Sequence, residues 1–387
     1  MRPGQRRLRP RLFIAAATLA FAGVWMSTPL AAVLLSERGA APVLVGLFAA
    51  AGWLTALCSA PATPWLAARV GGALPLHRLA AAGSGLGLLG LAADPPLWLW
   101  FGLAPLLGAA SCLTWTTADA IAGALAPPGR EGRFLGIYQT FVSAAIGGGP
   151  ALLWLTGVRA EAFAGCAGLM LAGLALTSWL REPPGAVPQR MRLSLPRLRP
   201  VLLMMRAPAG AAMLCGMLES LAGSVFPVQG LALGMGAAAA ASIVVATGFG
   251  NMLAQLPVGL AADRFGPHRA MLGCALVVAA GALLWPLLAP HWGVWPVLAL
   301  WGGAAGAIYT LGMVRAVRRF AGPARAMGMA WLSTAYLMGG SLGAPLGGLM
   351  LQSLPGWGLP AAIALVTLAA GATLAWAALR RGDSLPR

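Results

Sequence analysis

Residues 259–269 read Gly-Leu-Ala-Ala-Asp-Arg-Phe-Gly-Pro-His-Arg and join two apolar stretches, at 236–260 and 269–289. The glycines at 259 and 266 permit a tight turn and a close approach of the flanking segments. Stretches of about 20 apolar residues are long enough to cross a hydrocarbon core of roughly 30 Å as α-helices. A short charged turn between two such stretches is typical of a helical membrane protein.

The composition of the whole chain supports this interpretation. Hydrophobic residues make up 59% of the sequence and charged residues only 9%, which is too little charge to cover the surface of a soluble protein. The net charge of +17 comes entirely from arginine and would fit a nucleic-acid-binding protein. However, the arginines lie between apolar stretches, where they act as topology signals, so we expect no nucleic-acid partner.

The alternation of apolar stretches and charged turns predicts an all-α membrane protein with twelve transmembrane helices. The longest polar stretch, 181–207, separates six predicted helices from six. It predicts an N-terminal bundle at 1–181, a linker at 182–207 and a C-terminal bundle at 208–387. The predicted helices are 12–35, 42–66, 74–93, 97–125, 134–157, 161–181, 208–230, 236–260, 269–289, 293–317, 326–351 and 357–379.

The arginines predict the orientation in the membrane. Of the 26, 24 lie on alternate connections or at the termini, and only Arg38 and Arg159 fall on the opposite side. The positive-inside rule therefore places both termini in the cytoplasm. Arginine without lysine, together with abundant Ala, Gly and Pro, is typical of a GC-rich bacterial genome, which makes the inner membrane the expected location.

An internal repeat supports the division into halves. Pairs of identical residues recur at an offset near 195, about half the length of the chain. The pairs are Trp98 and Trp292, Trp100 and Trp295, Gly71 and Gly266, and Pro150 and Pro345.

Twelve helices in two repeated halves with a basic linker resemble the major facilitator superfamily. The 259–269 turn resembles the G-x-L-a-D-r-x-G-r-[kr] loop motif of that family, whose contacts change during alternating access. By this resemblance, Asp263 would engage the start of the fifth helix and an arginine, Arg315 or Arg318. The first-half copy of the motif, residues 64–71, lacks both its first glycine and its aspartate. The resemblance implies a conformational latch made of Gly259, Asp263, Arg264, Gly266, Arg269, Arg315 and Arg318.

Two carboxyl groups fall well inside predicted helices: Asp119 in the fourth and Glu219 in the seventh. A carboxylate at mid-bilayer costs about 2.5–3.5 kcal/mol, so it faces a cavity or a partner. Both residues are therefore candidates for binding a proton or a cationic part of the substrate. The alternative for each is a hydrogen-bonded structural carboxyl between helices.

Further residues are candidates for lining a substrate cavity, because amides hydrogen-bond ligands and aromatic rings stack on them. No arginine lies near the middle of a predicted helix; Arg315 comes closest. This pattern disfavours anionic substrates, which need a central cation. The cavity candidates are Trp25, Thr28, Tyr138, Gln139, Asn251, Gln255, Tyr309 and Tyr336.

The leading functional hypothesis is a monomeric secondary transporter that exports a neutral or cationic amphipathic compound against protons. A proton symporter importing a sugar or another neutral metabolite is one alternative, and a transport-inactive relative acting as a sensor or assembly factor is another. A membrane-embedded enzyme is disfavoured, because the three histidines are far apart and no HExxH or GxSxG motif occurs. The five cysteines lack CxxC spacing, so neither a metal nor another cofactor is expected.

Overall fold

Helices are the only regular elements in the part of the chain that the computed structural model describes. This follows from the apolar sequence, since a chain segment in lipid must satisfy its own backbone hydrogen bonds and a helix does so internally. The described residues are 3–127, 131–183, 195–319 and 322–379.

The chain divides into two compact units. The first unit comprises Met1–Gly39 and Ala51–Arg190, and the second comprises Ala40–Ala50 and Met191–Arg387, so that the second helix is shared between them. The helices up to residue 183 are α1 Pro3–Glu37, α2 Pro42–Ser59, a 3₁₀ turn at Ala60–Ala62, α3 Thr63–Val70, α4 Ala73–Ala92, α5 Leu97–Leu125, α6 Glu131–Ala151, α7 Leu153–Thr156 and α8 Ala162–Thr177.

The remaining helices all belong to the second unit. They include one π-helical turn, a form that is rare and recurs at functional sites. They are α9 Leu195–Ser220, the π turn Leu221–Val225, α10 Phe226–Ala232, α11 Ala237–Ala241, α12 Ile243–Phe265, α13 Pro267–Leu288, α14 Val294–Arg319, α15 Gly322–Ser353 and α16 Gly358–Leu379.

Among the residues that the structure describes, seven helical stretches are long and apolar enough to cross a membrane by length and composition alone. Two shorter apolar helices, Ala162–Thr177 and Gly358–Thr373, coincide with further predicted spans. The seven stretches are Pro10–Glu37, Pro42–Val70, Leu97–Leu125, Met204–Ala232, Ala237–Phe265, Pro267–Leu288 and Val294–Arg315.

The helices coincide with all twelve predicted spans, with differences at their ends. The largest difference is at α9, which begins at Leu195 rather than at residue 208 and so includes part of the predicted linker. The helix α12 continues to Phe265, beyond the predicted end at residue 260, and Gly266 then turns the chain with a φ of 85°. Hydropathy missed both extensions because helix formation there continues into polar sequence.

Prolines divide two of the predicted spans. The second span is interrupted by the 3₁₀ turn, where Pro61 and Pro64 each remove a backbone N–H donor. The fifth span carries Pro150 one residue before α6 ends, and the short helix α7 follows. These breaks bend the spans without ending them, which is why hydropathy predicted each as a single helix.

Glycines bring α9 and α15 into direct backbone contact within the second unit. A Cβ atom added at Gly216 would collide with the Tyr336 carbonyl oxygen, and one added at Gly339 would collide with the Met213 carbonyl oxygen. Small residues of this kind allow helices to pack closely in lipid, where no hydrophobic force drives them together. The register of α15 on α9 is therefore fixed by the absence of side chains at these positions.

Two charged side chains join the end of α8 to the start of α4 in the first unit. The Arg78 guanidinium donates hydrogen bonds to the carbonyl oxygens of Thr177 and, at 3.0 Å, of Leu180, at the end of α8. The Glu182 carboxylate accepts the N–H groups of Ala73 and Leu74, both at 2.8 Å, at the start of α4. We call these contacts the Glu182 clasp. Each charge lies where the helix dipole favours it.

Arg38, one of the two arginines that depart from the topology pattern, lies in the connection between α1 and α2. Its guanidinium forms an ion pair with Asp94 and lies 4.6 Å from the centre of the Trp100 ring. It also approaches the Pro95 carbonyl oxygen, to which the Trp100 indole N–H donates at 3.2 Å. Arg38 therefore has local structural partners, which accounts for its position.

Candidate functional site

Asp119 lies on α5 of the first unit, with an exposed side chain supported by two donors. The Tyr138 hydroxyl on α6 donates to the Asp119 Oδ1 atom at 3.0 Å. The Trp115 indole, one helical turn before Asp119, hydrogen-bonds with the same carboxyl group. The Asp119 carboxyl group therefore lies at the surface of the unit, and the aromatic side chains of Tyr138 and Trp115 donate hydrogen bonds to it.

Buried aromatic rings fix these donors in place. Tyr138 is only 1% exposed, and its ring stacks on Phe13 with centroids 6.4 Å apart. Trp115 packs against Phe21 with centroids 4.7 Å apart. Because close packing leaves these rings few alternative positions, the Tyr138 hydroxyl has a fixed location relative to α5.

His77 lies close to this aromatic layer but has a structural role. Its ring is 6.1 Å from Phe13, and its Nδ1 atom lies 3.2 Å from the Thr114 carbonyl oxygen and 3.1 Å from Thr117 Oγ1. A carbonyl oxygen can only accept, so Nδ1 carries the proton and donates. The Thr117 hydroxyl donates in turn to the Leu113 carbonyl oxygen at 2.6 Å. These bonds join α4 to α5.

Glu219 lies in the last turn of α9 in the second unit, two residues before the π turn begins at Leu221. Its carboxyl group hydrogen-bonds with the Tyr336 hydroxyl on α15. The Tyr336 ring meets the Tyr309 ring of α14 edge-on, with centroids 5.5 Å apart. Tyr309 in turn hydrogen-bonds with the Ser333 side chain, and Cys215 lies one turn before Glu219. Three helices therefore converge on this carboxyl group.

The surroundings of the two tyrosines near Glu219 are apolar and rich in sulfur. Partly buried methionine and tryptophan side chains pack on the same core as both rings. Methionine is flexible and polarisable and adapts to ligands of different shape. The side chains concerned are Met213, Met313, Met329 and Trp331.

A chain of polar side chains connects α12 to α14 in the second unit. The Gln255 amide donates to the Asn251 Oδ1 atom at 2.5 Å, and the Thr310 hydroxyl donates to the Gln255 Oε1 atom at 2.6 Å. Thr310 directly follows Tyr309 in the sequence of α14. A Cβ atom at Gly306 would collide with the Asn251 side chain, so this glycine makes room for the amide.

Of the other cavity candidates, Trp25 packs on the same core cluster as Tyr138. Thr28 donates to the Val24 carbonyl oxygen of its own helix at 3.4 Å, and Gln139 is exposed on α6. Tyr138, expected as a ligand contact, is buried and contacts Asp119 instead.

The expected latch residues lie at the junction of α12 and α13. Gly259, Asp263 and Arg264 are in the last turns of α12, and Arg269 is in the first turn of α13. The guanidinium of Arg264 lies 5.3 Å from the Phe265 ring. Arg315 is half-buried on α14, whereas the side chain of Arg318 lies outside the described residues.

Several residues of both sites were not predicted. Trp115 and Cys215 each lie four residues before a carboxyl residue, a spacing that places them on the same face of the helix and could have identified them. Ser333 and Thr310 gave no comparable signal. In the described ranges, no group of three His, Cys, Asp or Glu side chains could hold a metal ion.

Comparisons with known proteins agree with this architecture. A family profile described as Major Facilitator Superfamily matches residues 13–207 and again 208–387. A search of curated proteins gave no match. The structure is similar to that of an aspartate-to-alanine variant of the nucleoside transporter NupG, with a TM-score of 0.78, 16% identity and coverage of 97% of this chain and 100% of that one.

Two further solved structures are similar at comparable identity. One is a bacterial homologue of the human lysosomal transporter Spinster, inward-facing and unoccupied, with a TM-score of 0.73, 16% identity and 98% coverage of both chains. The other is a glutamate-to-glutamine variant of the peptide transporter POT, with a TM-score of 0.75, 13% identity and coverage of 97% of this chain and 95% of that one.

Proposed function

Because the chain belongs to the major facilitator superfamily and is a multi-pass membrane transporter of small molecules, we propose that it exports neutral or cationic amphipathic compounds in exchange for protons. One observation carries the proposal: Asp119 and Glu219 lie within membrane spans and are both held by tyrosine hydroxyls. In the part of the chain that is described, neither carboxyl group has an arginine or histidine partner.

The coupling step follows from the chemistry of a carboxyl group in an apolar setting. A carboxylate at mid-bilayer costs about 2.5–3.5 kcal/mol, and either a proton or a bound cation removes that cost. Binding of one therefore disfavours binding of the other at the same group. That competition is the physical basis of exchange between protons and a cationic substrate.

The side chains around Glu219 support an amphipathic substrate. Tyr309 and Tyr336 are partly buried aromatic rings of the kind that attracts organic cations, and nearby methionines offer adaptable apolar contacts. A phosphorylated or carboxylated substrate would be repelled by Glu219 when that residue is ionised. Arg315 is half-buried and lies towards the end of α14, beyond Tyr309 in the sequence.

The alternative with a specific observation in its favour is import of a sugar or other neutral metabolite by proton symport. The hydrogen-bonded chain of Asn251, Gln255 and Thr310 offers the amide and hydroxyl groups that recognise sugar hydroxyls. A transport-inactive relative that acts as a sensor remains the third candidate, since the first-half loop motif at residues 64–71 is degenerate.

We also propose the arrangement in the cell. The protein is a monomer in a bacterial inner membrane with both termini in the cytoplasm, as the arginine distribution predicts. Its functional halves are residues 1–181 and 208–387, joined by the linker 182–207. Asp263 and the glycines and arginines around it form the conformational latch.

Proteoliposomes with an imposed proton gradient test the proposal, with tetraphenylphosphonium as the cationic probe. We expect the probe to accumulate against the direction of proton flow. Glu219→Gln or Asp119→Asn should abolish the response to the gradient. Glu161→Gln, at the exposed start of α8, is the matched control and should behave like the wild type.

The other outcomes identify the alternatives. A neutral sugar that accumulates together with protons would support symport. Glu219→Gln and Asp119→Asn proteins that both match the wild type in flux would refute the coupling role of the carboxyl groups and favour the transport-inactive hypothesis.

A further inference from the structure

The chain contains only three tyrosines among 387 residues, and all three lie at the two carboxyl groups within the membrane. Tyr138 contacts Asp119 in the first unit, while Tyr336 contacts Glu219 in the second and is itself in ring contact with Tyr309. Aromatic positions elsewhere in the chain are filled by Trp and Phe, of which there are 15 and 11. The tyrosine hydroxyl is thus used only beside these carboxyl groups.

Burial excludes Tyr138 as a direct ligand contact in this conformation. The residue is 1% exposed, and its ring is stacked on Phe13, so only the bond to Asp119 connects its hydroxyl to the exposed surface. A buried hydroxyl needs a hydrogen-bond partner, and the Asp119 oxygen at 3.0 Å supplies it. Together with the Trp115 indole, the bond fixes the orientation of the Asp119 carboxyl group on the surface of α5.

The second unit has two tyrosines at its carboxyl group, and one of them contacts the other. Tyr336 donates to Glu219, and the edge-on contact with Tyr309 limits the positions that the Tyr336 ring can adopt. Tyr309 is itself held through Ser333. The backbone is held as well, because Gly216 allows the Tyr336 carbonyl oxygen to contact α9 one turn before Glu219.

We infer that the three tyrosines are positioning residues: Tyr138 orients Asp119, and Tyr309 holds Tyr336 in place to orient Glu219. This inference rests on the proposed function, in which these carboxyl groups bind protons and cationic substrate. A hydroxyl donor holds a carboxylate without cancelling its charge, whereas an arginine would neutralise it. Each carboxyl group therefore stays fixed and remains able to bind a cation.

The other titratable groups near each pair are few in the described structure. On the Asp119 side, His77 of α4 and Tyr138 of α6 both contact the Phe13 ring. On the Glu219 side, Cys215 of α9 adjoins both Tyr309 and Tyr336. If a property of a tyrosine changes with pH, mutation of the neighbouring carboxyl residue is therefore needed to show that this carboxyl group causes the change.

Fluorine NMR tests the assignment directly. Growth on 3-fluorotyrosine labels three positions, and Tyr138→Phe, Tyr309→Phe and Tyr336→Phe assign the three resonances. We expect Asp119→Asn to shift the Tyr138 resonance alone and to remove its pH dependence. Glu219→Gln should shift the resonances of Tyr336 and Tyr309 alone.

Controls and a functional readout complete the experiment. Glu161→Gln, at the exposed start of α8, should leave all three resonances in place, and unshifted signals from the other unit show that each variant is folded. In flux assays, Tyr138→Phe should raise the KM for tetraphenylphosphonium by about 2- to 10-fold, because binding must then fix a carboxyl group that the hydroxyl no longer orients. Its maximal rate should change little.

The possible failures are distinguishable. A Tyr138 resonance that ignores Asp119→Asn, or a Tyr138→Phe protein with an unchanged KM and pH profile, would overturn the inference. If the wild type shows no proton-driven flux while the fluorine couplings appear as expected, the proposed function fails and the pairing of tyrosines with carboxyl groups stands.

Discussion

Replacing Glu182 with alanine removes both side-chain acceptors at the start of α4. The carboxylate accepts the N–H groups of Ala73 and Leu74 at 2.8 Å each, and these are among the first amides of the helix, which have no partner within it. A side-chain cap contributes about 0.5–2 kcal/mol, and a negative charge at a helix N-terminus adds about 0.3–1 kcal/mol. Since Glu182 is half-buried rather than fully shielded, we expect a loss of about 1–2 kcal/mol.

Amide hydrogen exchange of the protein in lipid nanodiscs measures this loss locally. A reduction of about 1–2 kcal/mol in the free energy of local opening accelerates exchange by roughly 5- to 30-fold. The acceleration should be confined to peptides that contain Ala73 and Leu74. Glu182→Gln retains one acceptor oxygen and should give a smaller effect.

Glu161 provides the matched control for this prediction. It also precedes a helix, α8, but its side chain makes no capping hydrogen bond there. Glu161→Ala should therefore leave exchange at the start of α8 unchanged. Equal acceleration in both variants, or no acceleration at Ala73 and Leu74 in Glu182→Ala, would show that the clasp does not stabilise α4.

Three further predictions concern helix packing, the ion pair between Arg38 and Asp94, and the latch. Gly339→Val would force α15 away from the Met213 backbone and should destabilise the protein by about 1–3 kcal/mol in thermal unfolding, whereas Gly273→Val, which has no neighbour within 4 Å, should not. Arg38→Gln should cost about 1 kcal/mol or less in the same assay, because its partner Asp94 is 62% exposed. Asp263→Asn should slow turnover while leaving substrate affinity unchanged, and an equal loss of affinity in binding assays would contradict the latch.

The spans were predictable because the bilayer fixes their length and polarity. Hydropathy located all twelve, and the prolines at 61, 64 and 150 account for the interruptions observed in two of them. The π turn at Leu221–Val225 was not predictable, since it contains neither proline nor a charged residue. The start of α9 at Leu195 was missed for a different reason: its first turns are rich in arginine and proline and carry no apolar signal.

The two carboxyl groups were predictable from their cost in lipid, but most of their partners were not. Membrane helices are apolar on all sides, so the sequence does not reveal which face of α6 turns towards Asp119 or which face of α15 turns towards Glu219. Tyr138 and Tyr336 are separated from their partners by 19 and 117 residues, and only the packed bundles bring them together. The glycines at the α9–α15 contact set the second of these pairings, through backbone approach rather than through any side-chain signal.

The acidic residues differ in the kind of partner that holds them. Asp94 is paired with an arginine, and Glu182 accepts two backbone amides at a helix start; both are outside the apolar spans. An ion pair or a helix N-terminus balances the negative charge of a carboxylate at all times, as a structural contact requires. Asp119 and Glu219 are hydrogen-bonded by tyrosines instead, and a neutral donor leaves the charge to be compensated by something that arrives and departs. A proton and a cationic substrate both meet that description, and this difference in partners is the physical reason for our proposal that these two groups carry out the exchange.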